Sequence, residues 1–469
     1  MNPISTSVKN IFNDHFVKKY RSIAFDIQEE VLFVYSFSLS QKEKEELEII
    51  LNKTLKVEYI VEKEYNRLLA EHYPHLTSSE QNKTSSKQVF LAYSENEDFI
   101  KKIIKEAEFL GSSDIHIEIY DHQARVRMRI NGRLIERYQI KLLEYPSVIN
   151  KIKLRAKLDI AEKRLPQDGR ISFKEGQQDF DIRVSTLPTL YGEKAVLRLL
   201  TKNDELIRLD GLSFDQLQRE HYYEGIRHHS GIILISGPTG SGKTTSLYAT
   251  LKHLNKSRTN ILTIEDPIEY TLDGVNQVQL RENIGLNFGQ ALRTFLRQDP
   301  DVIMVGEIRD VDTANMAVRA ALTGHLVLST IHTNSAEGTV SRLIDMGIPS
   351  YLIASTLRLS VAQRLVGLLC QECKEEETFD SSQLPLGFTP KRTIKTHFHS
   401  KGCAQCNFSG IQSRKALYEI LPINDEVSEA IKLNKKINAN YSRLSEKAFE
   451  LFEEGKISFD EVFPLLLLE

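Results

Sequence analysis

Eight consecutive residues, Gly237-Pro238-Thr239-Gly240-Ser241-Gly242-Lys243-Thr244, place glycines at the first, fourth and sixth positions and end in Lys-Thr. Glycines let a backbone curl with its N–H groups turned inward on phosphate oxygens, and a helix opening at that point adds a favourable dipole. A lysine there supplies a point charge for the outer phosphates, and the following hydroxyl holds Mg²⁺. The run follows an apolar stretch (231–236, GIILIS) and leads through Thr245 into a helical pattern. That is the strand–loop–helix setting such a loop requires. The spacing predicts that residues 237–245 bind the phosphates of ATP, with Thr244 on Mg²⁺. A purely structural glycine turn fits that setting less well.

Other groups with chemistry fall at the ends of neighbouring apolar runs. Residues 301–307 (DVIMVGE) end in Gly-Glu instead of the usual aspartate, which puts Glu307 at the carboxyl end of a strand, where open α/β sheets bind ligands. There it suits Mg²⁺ through water, or the orientation of an attacking water. Glu265 and Glu269 follow the run 260–264 and suit a metal or water near a γ-phosphate. His325 and His332 flank the run 326–331 (LVLSTI) and read as two imidazoles at one sheet end, serving as γ-phosphate sensors. Arg293 and Arg297 share a helix face at i and i+4, for phosphates, a neighbouring subunit or a surface ion pair.

The chain's 4 cysteines form two C-x-x-C pairs, Cys370/Cys373 and Cys403/Cys406, with 29 residues between them. Two such knuckles predict a tetrahedral structural Zn²⁺ site, with four thiolates and no open position. The basic end of the intervening loop (391–399) reads as a finger that faces a membrane or a partner, with His397 and His399 as bystanders.

These groups need several folded units to position them. At 469 residues the chain has room for about three domains. Its 41% hydrophobic and 27% charged content is that of a globular chain. With 61 Lys+Arg against 64 Asp+Glu there is no global basic field, and nucleic acid is an unlikely partner. No apolar run approaches the ~20 residues of a membrane span, and residues 1–10 lack a secretory signal pattern. The expectation is a cytosolic α/β multidomain chain. Residues 1–73 read as strand 30–37, helix 42–52, strand 55–61 and helix 63–72, a small α/β partner-docking unit. Residues 74–88 (PHLTSSEQNKTSSKQ) read as a flexible linker.

Residues 89–203 read as a second unit: a helix at 97–110, then strands 114–120, 124–130 and 133–140, with an Asn131-Gly132 hairpin turn. Within 121–170 there are 13 Lys/Arg against 6 Asp/Glu, a local basic excess. Residues 204–364 read as a parallel sheet with crossover helices, with strands at 231–236, 260–264, 301–305 and 325–330. Helices are expected at 243–254, 290–297, 311–322, 336–346 and 351–368. Residues 365–409 form the tetracysteine module and 410–469 a helical tail.

The ordered runs GPTGSGKTT, TIEDPIEY, LRQDPDVIMVGEIRD and TGHLVLSTIHTN closely resemble the secretion ATPase superfamily that drives type II secretion and type IV pilus assembly. In that family they are the Walker A loop, Asp box, atypical Walker B and His box. The resemblance extends to SDIHIE (113–118), RVRMRING (125–132), RLPQDGRISF (164–173) and DIRVSTLPTLYGEKAVLRLL (181–200), and covers about residues 95–410. It implies a RecA-like P-loop NTPase domain with a PAS-like α/β middle domain folded over it. Arg183 and Arg198 match the arginines that the family's middle domain extends to the phosphates. Arg293 and Arg297 match arginines near its active site, and Glu307 matches its catalytic glutamate. The implied assembly is a homohexamer on the cytoplasmic face of the bacterial inner membrane. Its implied partners are a membrane platform protein and a bitopic membrane protein that docks the N-terminal unit. The four-cysteine module matches the assembly and secretion branch. A nucleic-acid translocase or DNA-uptake motor on the same core is the alternative.

Overall fold

The computed structural model describes residues 8, 11–12, 16–17, 20–28, 30–51, 53–73, 91–92, 98–175, 178–199, 208–385, 387–390, 392 and 394–468. The predicted linker 74–88, most of segment 1–10 and the expected junction at 203/204 lie outside the described residues. The chain divides into two compact units, Met1–Lys87 and Gln88–Glu469.

The first unit is a three-stranded sheet. β1 (Ser22–Gln28) runs antiparallel to β2 (Val31–Ser36), which pairs in parallel with β3 (Thr54–Tyr59) across the crossover helix Gln41–Leu51. Alternation along β2 turns Leu32 and Val34 inward, where they join Leu47, Leu55 and Leu68 in the core. β1 had no counterpart in the sequence reading. The helix Glu62–His72 closes the described part of this unit.

The second unit holds two seven-stranded sheets. The first contains β4 (Leu91–Ala92), β5 (Ser112–Ile119), β6 (Ala124–Ile130), β7 (Arg133–Ile140), β8 (Gln167–Glu175), β9 (Gln178–Thr189) and β10 (Gly192–Leu199), in the order β4-β7-β6-β5-β10-β9-β8. Asn131 and Gly132 join β6 to β7 with φ of 49° and 85°, the left-handed pair that a tight hairpin favours. Period-2 alternation splits this sheet cleanly. Ile115, Ile117, Val126, Met128, Ala195 and Leu197 pack on the helices Phe99–Phe109 and Tyr145–Arg155. The other face carries Asp114, His116 and Glu118 on β5, Arg125, Arg127 and Arg129 on β6, and Lys194 and Arg198 on β10.

Part of the local basic excess is therefore one side of a charge ladder. The buried Glu118 carboxylate accepts from Arg127 Nε at 2.7 Å and Nη2 at 2.9 Å, with Lys194 Nζ at 2.9 Å. Burial raises this carboxyl, but the bonds from Arg127 and Lys194 outweigh it and hold it down at about 2. A depressed carboxyl contributes stability that is whole above its unfolded value of about 4.3 and is lost as pH falls toward the folded one. Glu118→Gln is expected to cost about 3 kcal/mol at neutral pH, since it removes the buried negative charge to which the half-buried Arg127 and Lys194 are bonded. The gap to the parent should close between about pH 4.3 and 2. Thermal unfolding across that window checks it, and a gap independent of pH would contradict it.

The other large sheet contains β11 (Gly231–Ser236), β12 (Ile261–Glu265), β13 (Asn276–Gln279), β14 (Val302–Val305), β15 (Leu326–Ile331) and β16 (Leu357–Leu369). β17 (Lys374–Thr378) and β18 (Thr396–Ser400) form a separate hairpin, and β19 (Ile411–Pro422) returns to the large sheet. Its order is β13-β12-β14-β15-β11-β16-β19, parallel except for the antiparallel β16–β19 pair. The strands β11, β12, β14 and β15 are buried along their whole length, as a parallel sheet covered on both faces requires.

Two expectations are corrected here. The helix expected at 351–368 ends at Thr356, and Leu357–Leu369 is strand. That run is largely buried on both faces and shows no alternation, so its pattern fits a helix or a doubly buried strand equally. Ladders with β11 and β19, distant in sequence, decide it. The tail 410–469 opens with β19 before its three helices, Asp425–Lys432, Leu444–Glu453 and Phe459–Leu466. The large sheet thus runs on through residues assigned to the cysteine module and the tail. Among the described residues no helix is long and apolar enough to cross a membrane.

Candidate functional site

The phosphate-loop residues join β11 to the helix Lys243–Leu254. Gly237 and Gly242 sit at φ of 146° and 87°, and a Cβ would lie 2.4 Å from Gln363 O at the first and 2.9 Å from Gln363 Nε2 at the second. Only glycine fits that backbone and that contact. Gln363, buried on β16, is the buttress: its Nε2 donates to Ser241 O at 2.8 Å, and its Oε1 accepts from Ser246 Oγ at 2.9 Å. Lys243 Nζ donates to the carbonyls of Gly237 (2.8 Å) and Pro238 (3.0 Å). Burial pushes its ammonium down; the nearby Glu307 opposes this, and Arg364 adds to it.

A cleft of about 1590 Å³ opens between this loop and the charged face of the middle sheet. Thr239, Gly240, Gly242, Lys243, Thr244 and Thr245 line one side. Glu265, the last residue of β12, and Glu269, just after it, reach the cleft, as do Glu307, Arg309 and His332 from the segments after β14 and β15. All of these stand at the carboxyl ends of parallel strands, which is why three segments far apart in sequence meet there. Glu307 pairs with Arg309 and lies 3.4 Å from His332 Nε2. Buried Glu265 accepts from Tyr248 OH and Thr263 Oγ1, and from Gln277 Nε2 at 3.0 Å. Its lone pairs are well occupied, so it organises the site more than it faces a ligand.

From the middle sheet, Arg198 lines the cleft and its Nε donates to Asp114 at 2.9 Å. Arg183 Nη2 donates to Ile268 O at 2.9 Å and lies 3.8 Å from Glu269. Arg183 thus meets the 265–269 segment without lining the cleft, and Arg198 lines the cleft opposite the loop, within one chain.

Three predicted residues lie elsewhere. His325 and His332 were expected at one sheet end, but they precede and follow a strand of 6 residues. At about 3.3 Å rise per residue they stand roughly 20 Å apart, at opposite ends. His325 Nδ1 is 2.9 Å from Ala320 O and 3.2 Å from Thr323 Oγ1, a helix-end contact. Arg293 pairs with Asp312 at 3.1 Å, and Arg297 Nη1 donates to Arg293 O at 2.9 Å. Neither lines the cleft: Arg293 is exposed on the helix Phe288–Phe295, and Arg297 is exposed in the turn that follows it, past the end of the helix expected at 290–297. Conversely, the sequence reading missed Arg309, although it stands two residues past Glu307 in the same quoted run. It missed Gln363 because that stretch read as helix.

The cysteines converge. Sγ–Sγ separations are 3.9 Å for Cys370–Cys403, 3.9 Å for Cys373–Cys406 and 3.8 Å for Cys403–Cys406, with all four within 4.8 Å. Four thiolates at about 2.3 Å from a tetrahedral centre would stand about 3.8 Å apart. A disulfide needs about 2.05 Å, and all four are free. Backbone N–H groups of Cys403 and Gly410 point at Cys406 Sγ (3.2 and 3.3 Å). Burial raises the Cys406 thiol, but these N–H groups and the adjacent thiols outweigh it and bring it to about 7; burial pushes Cys373 up to about 12. The donor set fits a thiophilic cation.

The family model for "Type II/IV secretion system protein" matches residues 93–463. The chain is 43% identical over 370 residues to the Type II secretion system ATPase E of Vibrio cholerae, covering 77% of this chain and 74% of that protein. It is 46% identical over 336 residues to the Type IV pilus assembly ATPase PilB of Myxococcus xanthus, covering 71% of this chain and 59% of that one. The solved ATPase DotB of Legionella pneumophila superposes with a TM-score of 0.60 at 23% identity, covering 81% of this chain and 99% of that one, a likeness of fold.

Proposed function

The chain belongs to the type II/IV secretion system protein family, and on that premise we propose that it is a motor ATPase that powers type II secretion or assembly of a type IV-type filament. The observation that carries this reading is the meeting of Lys243, Glu307 and Arg198 in one cleft beside a glycine loop that only glycines allow. The relatives named above are ATPases of those two systems.

The chain's residues divide the work. The N–H groups of 239–245 cradle the phosphates, and Lys243 can exchange two backbone carbonyls for phosphate oxygens. Thr244 would hold Mg²⁺, which neutralises charge on the phosphates. Glu307 orients the attacking water and takes its proton, with His332 and Arg309 fixing the carboxylate. Arg198 and Arg183 meet charge that develops on the transferred phosphoryl group. Cys370, Cys373, Cys403 and Cys406 would hold a structural Zn²⁺, which ties the module's two halves together. Arg293 and Arg297, turned outward, suit a neighbouring subunit of a hexamer. The chain would act on the cytoplasmic face of the inner membrane, against a platform protein, with residues 1–73 docking a bitopic partner.

Phosphate release from Mg²⁺-ATP by the purified full chain, with sizing in the presence of ATP, tests this reading. Absence of release, or release that appears only with DNA, rejects it. Arg198→Ala and Arg183→Ala are each expected to lower kcat by about 10- to 100-fold with little change in KM, because the arginines act on transition-state charge. Steady-state kinetics checks this; a raised KM at unchanged kcat would assign them to ground-state binding instead.

A further inference from the structure

Arg364 on β16 is buried at 8% exposure and is the neighbour of Gln363, the buttress of the phosphate loop. Its Nη1 donates to Gln363 O at 3.0 Å, and its Nη2 to Asn334 O at 3.1 Å and Asn334 Oδ1 at 3.3 Å. The same Nη1 would stand 3.1 Å from a Cβ on Gly237. One guanidinium thus lies beside Gly237, the first glycine of the phosphate loop, and bonds the segment carrying His332, two residues before Asn334. The carboxylate that opposes its charge is Glu419, whose oxygens are already taken by the N–H groups of Ala336 (2.7 Å) and Leu444 (3.1 Å).

A buried cation whose bonds go to neutral acceptors is costly, and an apolar side chain of similar volume would fill the space at lower cost. What the guanidinium adds is a rigid planar fork that fixes several acceptors relative to one another. Those acceptors belong to β16, which holds the phosphate loop through Gln363, and to the turn after β15, which carries His332. Arg364 does not line the cleft. Its reach into the chemistry runs through Asn334 and His332 to Glu307.

We propose that Arg364 is a positioning residue that locks the His332 segment to the underside of the phosphate loop, so that Lys243 and the His332–Glu307 contact move as one unit. This rests on the reading of the cleft as an ATP site. Arg364→Met in the full chain should lower kcat by about 10- to 100-fold while KM for ATP stays within about threefold. Arg364→Lys should not restore the rate, since an ammonium lacks the fork. A merely structural role would reduce stability without coupling to His332, so the deciding measurement is a double-mutant cycle. Arg364→Met combined with His332→Ala should turn over no more slowly than the slower single variant. Multiplied losses in the double variant would overturn the proposal. Should Arg364→Met fail to fold, Arg364→Lys takes its place in the same cycle with the same criterion. Asn334→Ala, which removes only the Oδ1 acceptor, should slow the parent but not the Arg364→Lys chain. Hydrolysis by the parent that Lys243→Ala abolishes secures the ATP reading, so independent losses in an active enzyme count against the lock alone.

Discussion

Glu307→Gln is expected to bind Mg²⁺-ATP like the parent and to release phosphate roughly 100- to 1000-fold more slowly. The amide is isosteric, so the loop, Lys243 and Thr244 are untouched. An amide cannot take a proton from water, and it forms no ion pair with Arg309, which together with His332 flanks this carboxylate. Lys243→Ala should fail earlier, at binding. Its ammonium is held at the mouth of the loop by the carbonyls of Gly237 and Pro238, and no other cation of the loop can replace it. Nucleotide titration and phosphate release, measured on both variants, separate the two roles. Equal turnover by Glu307→Gln and the parent would remove Glu307 from the mechanism, and normal binding by Lys243→Ala would remove the loop.

What the sequence made legible was local. β11 and the strand bounds 124–130 and 133–140 are found as read, because a glycine loop and an Asn-Gly turn punctuate those apolar runs within a few residues. What it hid is decided by distant partners. β16 is buried on both faces, so its residues carry no period to read, and only the ladders with β11 and β19 make it a strand. Gln363 and Arg364 went unnoticed for that reason, although one buttresses the phosphate loop and the other ties β16 to Asn334. The two histidines show the same limit at shorter range. Their placement at one sheet end ignored the length of the strand between them, which sends His332 to the cleft and His325 to the far edge. Arg198 could be proposed from family likeness, but its partner Asp114 lies 84 residues away in sequence and nothing local connects them.

Purified chain is expected to carry one equivalent of zinc, and stripping it should unseat the middle sheet while leaving nucleotide binding in place. Binding energies on the order of 10 kcal/mol make the folding of such a segment metal-dependent. Between the two C-x-x-C pairs the short β17–β18 hairpin is the only regular strand among the described residues. The sequence alone suggested a module remote from the phosphate loop. The structure brings it closer, since Cys370 directly follows β16, the strand that carries Gln363. That strand is still held by β11 on its other side, so the Gln363 buttress and ATP affinity should survive the loss of metal. The contacts beyond the cysteines should not survive. Arg133 Nη1 donates to Ser409 O at 2.9 Å and Asn131 Nδ2 to Gln412 O at 3.1 Å, on backbone that Cys406 holds through the N–H of Gly410. Freed of that seat, the β6–β7 turn and the sheet bearing Arg198 should move more, and turnover should fall while binding holds. Elemental analysis with thiol titration gives the stoichiometry, and hydrogen exchange over 124–140 with and without chelator reports the seat. Four freely titrating thiols in a native chain without zinc would refute the metal site. Unchanged exchange in a chain that has lost its zinc would refute the seat.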